Sequence, residues 1–243
     1  MTVNASKHYL HRYGIITGKK IVIATNNDSV YETAKQLYEA GSKVTIIDSR
    51  KKINIELPKG IQHYLNTVPF NINGKKNIES LDVCQTNDST KKNTIICDQV
   101  LISGGWSPIV NLVSHRGIKP IWNEDNLCFI PGEIKENITV VGSARGIWNL
   151  NDCKNSGIAG ANETLNKLGI HKKEITFPKV GGWVNPIEPL FEVKSKKFPS
   201  KSFVDFQHDV TVDDVRLAHR EGFISVEHLK RYTTLGMAND QGK

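Results

Sequence analysis

Residues 25–30, TNNDSV, form the turn at which a strand-turn-helix unit would do phosphate chemistry. A dinucleotide site at such a turn needs Gly-x-Gly-x-x-Gly, because only residues without a Cβ let backbone amides close on a pyrophosphate. This turn has no glycine. Asp28 instead sets a carboxylate at the start of the helix. There it either selects a cationic or hydroxylic ligand or acts as an N-cap in a Rossmann half that has lost its nucleotide, and the N-cap is the simpler expectation. Asp48, closing the next strand, lies where that fold keeps its ribose-binding carboxylate. Two further strand ends carry glycine. Ser103-Gly104-Gly105 suits either the close approach of a ligand or backbone or a plain turn, and Gly142-Ser143 forms a second turn. Cys84, Cys97, Cys128 and Cys153 have no Cys-x-x-Cys spacing among them, so buried free thiols are expected, above all Cys97 in IICDQVLI and Cys128 in LCFI. His208, His219 and His228 show no metal-ligand spacing and are expected at the surface or an interface.

These residues depend on a βαβ unit. Residues 21–24 read as a buried strand, Val30, Ala34, Leu37 and Tyr38 as the apolar face of a helix that ends at Gly41, and residues 44–47 as a second strand. Before it, residues 6–13 read as the end of a helix stopped by Gly14, too short to open a domain, so the chain is expected to begin mid-domain. Residues 55–89 alternate around Asn73-Gly74 as an antiparallel hairpin or meander, and strand character returns in NTIICDQVLISGG. Residues 138–141 read as a further strand, leading through Gly142-Ser143 into a helix lined by Gly157, Ala159, Gly160 and Ala161 that can pack closely on a sheet or cofactor. Residues 171–200 carry four prolines and little periodicity, as a semi-extended linker does. The last forty or so residues read as a helical hairpin: a capping box from Thr211 to Asp214, a stop at Gly222, and a second helix from about Ser225 to Gly236.

The composition narrows the function classes. The chain has 243 residues and a formal charge of +7, but only seven of its 32 basic residues are arginines, and the lysines fall in scattered pairs. Nucleic-acid readers concentrate arginine and stacking aromatics on one face, so no nucleic-acid partner is expected. No apolar run approaches the length of a membrane span, and MTVNASKHYLHRYG offers no apolar signal region, so neither membrane nor export is expected and the chain is placed in the cytoplasm.

The C-terminal stretch DVTVDDVRLAHREGFISVEHLKRYTTLGMANDQGK resembles the alpha subunit of heterotetrameric sarcosine oxidase, and SKHYLHRYG, TNNDSVYETA and LISGGWSPIV resemble it in the same order. The resemblance implies an α/β fold: a Rossmann-like domain of the FAD/NAD-linked reductase type over residues 1–170, incomplete at its N-terminus and with an inserted subdomain at about 15–92. A linker over 171–200 and a small helical module over 201–243, resembling the bacterioferritin-associated ferredoxin fold, would follow. The chain would then be the middle of such a subunit, after its Gly-rich motif and before its folate-binding domain.

The resemblance also implies the chemistry: oxidative demethylation of sarcosine to glycine, yielding formaldehyde or methylenetetrahydrofolate and hydrogen peroxide, in a complex with beta, gamma and delta subunits. NAD would sit on the complete alpha subunit, FAD and FMN mainly through the beta subunit, and tetrahydrofolate on the C-terminal domain. No catalytic residue is expected in this chain. Gly104, Gly105, Gly142 and Ser143 match nucleotide-approaching strand ends. Ser143 replaces the aspartate of flavin-binding relatives, which counts against flavin there and is compatible with NAD. In the helical module Asp205, Gln207 and Asp240 stand at positions where relatives place cluster-binding cysteines, so no iron-sulfur cluster is expected. Lys230, Arg231, Tyr232 and Thr233 either line a flavin or channel side or form a solvated helix end. Two readings stay open beside the leading one: a non-catalytic nucleotide-binding or scaffold module of a related amine-oxidising flavoprotein complex, and a relative acting on proline, an opine or dimethylglycine.

Overall fold

The computed structural model describes residues 1–134, 137–170, 185–193 and 201–239, and of residues 88–91 the backbone alone. They fall into two compact units, Met1–Thr86 with Lys92–Leu190, and Asn87–Lys91 with Phe191–Lys243. The first unit opens with α1 (Val3–Tyr13), whose N-cap is Thr2 and whose end is Gly14 in the left-handed region at φ 65°. The helix is thus a complete element of its own, three residues longer at its start than the apolar pattern indicates.

Next comes the expected βαβ unit: β1 (Lys20–Thr25), a short 3-10 turn, α2 (Tyr31–Glu39) and β2 (Lys43–Asp48). β1 and β2 pair in parallel from Lys20↔Lys43 to Thr25↔Asp48. The parallel sheet has the order β3-β2-β1-β7, with β3 (Gln62–Tyr64) and β7 (Gln99–Ser103) at its edges. Successive strand side chains point to opposite faces, so one face carries Ile21, Ile23, Val44, Ile46 and Leu101 against Val3, Ala34 and Leu37 of the helices. The other carries Val22, Ala24, Ile47 and Val100 against Leu81, Val83 and Cys97. That second layer is an antiparallel meander of β4 (Thr67–Asn73), β5 (Ser80–Gln85) and β6 (Asp88–Ile96). Burial on both faces explains why β1 and β2 read as nearly unbroken apolar runs.

Three expectations change. Gln62–Tyr64, expected in the hairpin, joins the parallel sheet beside β2, because alternation alone does not say which neighbour a strand takes. NTIICDQVLISGG is two strands: Asp98 accepts hydrogen bonds from the amides of Lys19 and Lys20, and there the chain leaves the meander for the parallel sheet. Residues 138–141 are extended but make no strand, since strand propensity needs a partner's hydrogen-bond ladder.

Beyond β7 lie α3 (Asn111–Ser114), a hairpin of β8 (Ile121–Asn123) and β9 (Cys128–Ile130), and α4 (Leu150–Lys167). Of the small residues expected to pack on α4 only Gly160 does, where a Cβ would sit 2.7 Å from Val141 Cγ1; Ala159 and Ala161 are exposed, and a Cβ on Gly157 would meet nothing within 4 Å. Cys84, Cys97 and Cys128 are buried free thiols, and burial raises the thiol pKa of Cys97 and Cys128.

In the second unit β10 (Phe203–Asp205) and β11 (Val210–Thr211) precede α5 (Val212–Arg220) and α6 (Val226–Thr233). The capping box of Thr211 and Asp214 is present. Gly222 follows α5 at φ 94°. The second helix ends at Thr233, earlier than expected, because Thr234 rather than Gly236 takes the first left-handed position. No helix among the described residues is long and apolar enough to cross a membrane.

Candidate functional site

In a sheet of this order, ligands lie outside the carboxyl ends of the strands, where neighbours of the first strand depart in opposite directions. Here that point lies between β1 and β7. The turn after β1 fills it with side chains: Asn27 accepts from the Ser29 amide and donates to the Ser103 carbonyl, and Asn26 donates to the Gly104 carbonyl at 3.3 Å. The N-cap is therefore Asn27, which corrects the expectation for Asp28.

Asp28 instead faces Arg50. The Arg50 guanidinium, 1% exposed, donates from NH1 to Asp28 Oδ1 at 2.8 Å and from NH2 to Asp48 Oδ2 at 2.8 Å, while its Nε reaches Asp48 Oδ1 at 3.0 Å. The cation that Asp28 selects belongs to the chain itself. Asp48, fully buried, also accepts from the Arg50 backbone amide and from the Tyr31 hydroxyl at 2.6 Å. The carboxylate in the ribose-binding position is thus already engaged. Burial would lower the Arg50 pKa, but the hydrogen bonds it donates to Asp48 and Asp28 outweigh it and hold the guanidinium charged. Tyr31 is driven strongly upward, first by burial and then by Asp48, so its hydroxyl keeps its proton. That proton goes to Asp48, so His63 Nε2, 3.1 Å from the Tyr31 oxygen, must be the donor of its pair. Burial lowers the His63 pKa and favours neutral imidazole.

A second piece of chain completes this crevice. The Asn185 amide donates to Asp28 Oδ2 at 2.8 Å, and the Pro186 carbonyl accepts from Arg50 NH1 at 3.0 Å. Glu188 exchanges two bonds with Asn26: its carbonyl accepts from Nδ2 at 2.8 Å and its amide donates to the Asn26 carbonyl at 3.2 Å. Of the stretch read as a linker, residues 171–184 and 194–200 lie outside the described residues. Sequence reasoning found Asp28 and Asp48 but missed Arg50, Tyr31, His63 and Asn185. The available signal was the Asp48-x-Arg50 spacing beside a turn without glycine.

Two of the expected nucleotide positions border the same crevice, since the Gly104 carbonyl accepts from Asn26 and Ile187 packs at Gly105. Gly104 and Gly105 follow β7 and lead into Trp106, which with Ser143, Pro108, Ile109, Ile147 and Trp148 lines an apolar cavity of about 360 Å³. The Trp106 and Trp148 rings lie 6.2 Å apart. A Cβ on Gly104 would meet nothing within 4 Å, whereas one on Gly105 would meet Ile187 at 2.9 Å. Gly142 has φ 62° and begins a short turn that carries Ser143.

In the second unit the Asp205 carboxylate accepts three backbone amides, from Gly236, Gln207 and His208, at 2.9 to 3.2 Å. These bonds, Gly236 first, hold its pKa below the ordinary carboxylate value. A carboxylate thus ties together the loop and turn that carry the cluster-position residues; Asp240 lies outside the described residues. Tyr232 stacks on Phe223 at 4.5 Å, and Arg231 is exposed. Among the described residues no group of three or more His, Cys, Asp or Glu residues is placed to hold a metal.

Residues 199–243 match the family model described as "Sarcosine oxidase A3 domain". The whole chain is 36% identical over 247 residues to sarcosine oxidase subunit alpha of Rhizobium meliloti (strain 1021), of which it covers 24%. It is 30% identical over 257 residues to the subunit of the same name from Corynebacterium sp. (strain U-96), of which it covers 27%. It therefore spans about a quarter of the length of these curated relatives. Among solved structures, L-proline dehydrogenase from P. horikoshii aligns with a TM-score of 0.61 at 14% identity, covering 100% of this chain and 45% of that one. That likeness concerns the fold alone, a mixed α/β arrangement with a Rossmann-like parallel sheet. Over its whole length the chain is thus similar to a segment of sarcosine oxidase subunit alpha, and residues 199–243 match the A3 domain model.

Proposed function

We propose that this chain contributes to a sarcosine oxidase, an oxidoreductase complex, as the middle part of its alpha subunit. It supplies nucleotide-holding and docking surfaces and no catalytic residue. The reaction is oxidative demethylation of sarcosine to glycine, with the methyl carbon released as formaldehyde or captured by tetrahydrofolate and oxygen reduced to hydrogen peroxide. The partners are beta, gamma and delta subunits, and the place is the cytoplasm. The observation that carries the reading is the 36% identity along the entire chain.

Two places in the first unit differ in their fit to a dinucleotide. The crevice between β1 and β7 does not fit one: the turn after β1 has no glycine, two carboxylates face one guanidinium there, and residues 185–188 span it. The apolar cavity lined by Trp106, Ser143 and Trp148, next in sequence to Gly104, Gly105 and Gly142, fits NAD better. Gly104 leaves open space for a ligand backbone, and the flat faces of Trp106 and Trp148 suit an aromatic ring. NAD on this subunit is structural, and the redox chemistry is supplied by FAD and FMN held mainly through the beta subunit. Tetrahydrofolate belongs to a domain outside this chain. In the helical module, Asp205 satisfies the amides around the cluster position, which supports a module kept for its shape, without an iron-sulfur cluster.

The test is the absorbance spectrum of the purified chain, followed by heat denaturation and chromatography of any released nucleotide. Released NAD without flavin or charge-transfer bands supports the reading. An iron-sulfur band contradicts the role given to Asp205.

A further inference from the structure

We propose that the Rossmann crevice of the first unit is a peptide site permanently occupied by its own chain: Arg50 and residues 185–188 take the place of a dinucleotide and are not displaced by one. The first support is position, since the segment crosses the strand ends where the fold places a ligand. The second is completeness of the contacts. Asn185 bonds Asp28 through its backbone amide and its Nδ2, and its Oδ1 accepts from the Asn54 amide. Pro186 gives its carbonyl to Arg50, and Glu188 uses both backbone groups on Asn26. Ile187 packs at Gly105, where no Cβ would fit without a shift. An extended backbone with a carbonyl at the guanidinium and an amide at the carboxylate is the ligand this crevice is built to read.

The third support is charge. Asp28 and Asp48 both face this crevice as carboxylates, and the Asn185 amides donate to Asp28. A pyrophosphate would bring further negative charge against Asp28 and would forfeit those bonds. The crevice therefore works as a fastener for the segment at residues 185–190, whose prolines leave few amides for a sheet of its own.

The experiment is amide hydrogen exchange on the full 243-residue chain, read at residues 185–190 with and without millimolar NAD, in the parent and in Asn185→Ala and Asp28→Asn. The account expects protection in the parent at least about tenfold above an unstructured chain, unchanged by NAD, and exchange about five- to tenfold faster in either variant. The core amides of β1 and β2 should stay protected in Asn185→Ala, which removes contacts made outside the hydrophobic layers. Loss of protection on adding NAD, an unprotected segment in the parent, or variants that match the parent would each overturn the proposal. An effect of NAD at residues 106–109 and 143–148, around the Trp106-Trp148 cavity, that leaves 185–190 unchanged supports it. An absence of any NAD effect supports it equally while counting against NAD binding by this chain, so the two ideas fail separately.

Discussion

Arg50 is where the crevice is most vulnerable to a single change. Arg50→Met would leave two buried carboxylates without their shared cation, and breaking a buried pair this way costs about 3–5 kcal/mol. Urea melts of the variant should show that loss, whereas Arg50→Lys, which keeps the charge but not the fork, should fall between the variant and the parent. A loss within about 0.5 kcal/mol would mean the pair is not closed as described. His63 gives the site a pH signature. Burial lowers its pKa, so as pH falls below the ordinary imidazole value of about 6.5 the unfolded chain takes up the proton before the folded one. Stability should therefore fall with pH from there down to the lowered value, with a slope of up to about 1.4 kcal/mol per pH unit. His63→Gln should flatten that part of the profile, and an equal slope in both proteins would remove His63 from the account. Of these residues only the two aspartates could be read from sequence, since their places follow from strand ends. Arg50 reaches Asp28 across 22 positions and His63 meets Tyr31 across 32, contacts that the sheet creates and no local pattern announces.

At the scale of elements, β1, α2 and β2 were legible because burial on both faces and a helical apolar stripe leave strong periodic signals. Residues 138–141 show the limit of that reasoning. Their composition is that of a strand, but the described residues offer them side-chain packing from α4 and no ladder. The packing is specific enough to test. Gly160→Ala would press its Cβ to 2.7 Å from Val141 and 3.1 Å from Thr139 and should destabilise the first unit by about 1–3 kcal/mol in thermal melts. Gly157 on the same helix faces open space, so Gly157→Ala should stabilise by up to about 1 kcal/mol through helix propensity. Two substitutions of the same type with opposite signs would confirm which face of α4 is covered; equal effects would contradict it. Residues 185–190 escaped sequence reasoning for a different reason. A proline-spaced extended segment held by backbone bonds leaves no periodicity, and so looks the same whether it is bound or free.

At the scale of the whole molecule, the chain's proposed role is to lend structure to an amine-oxidising complex whose chemistry lies in other parts. Its own architecture agrees: a Rossmann sheet whose ligand crevice is filled from within, and a helical module whose cluster position is held by a carboxylate. The similarity to sarcosine oxidase subunit alpha could be read from sequence because motifs spread along the chain in a fixed order carry it. The filled crevice could not, because it depends on a contact across more than 150 residues. The most direct measurement is sarcosine-dependent hydrogen peroxide production, assayed with the purified chain alone and with the complete set of alpha, beta, gamma and delta subunits. The account predicts no peroxide from the chain alone and turnover from the assembled complex; peroxide from the isolated chain would contradict it.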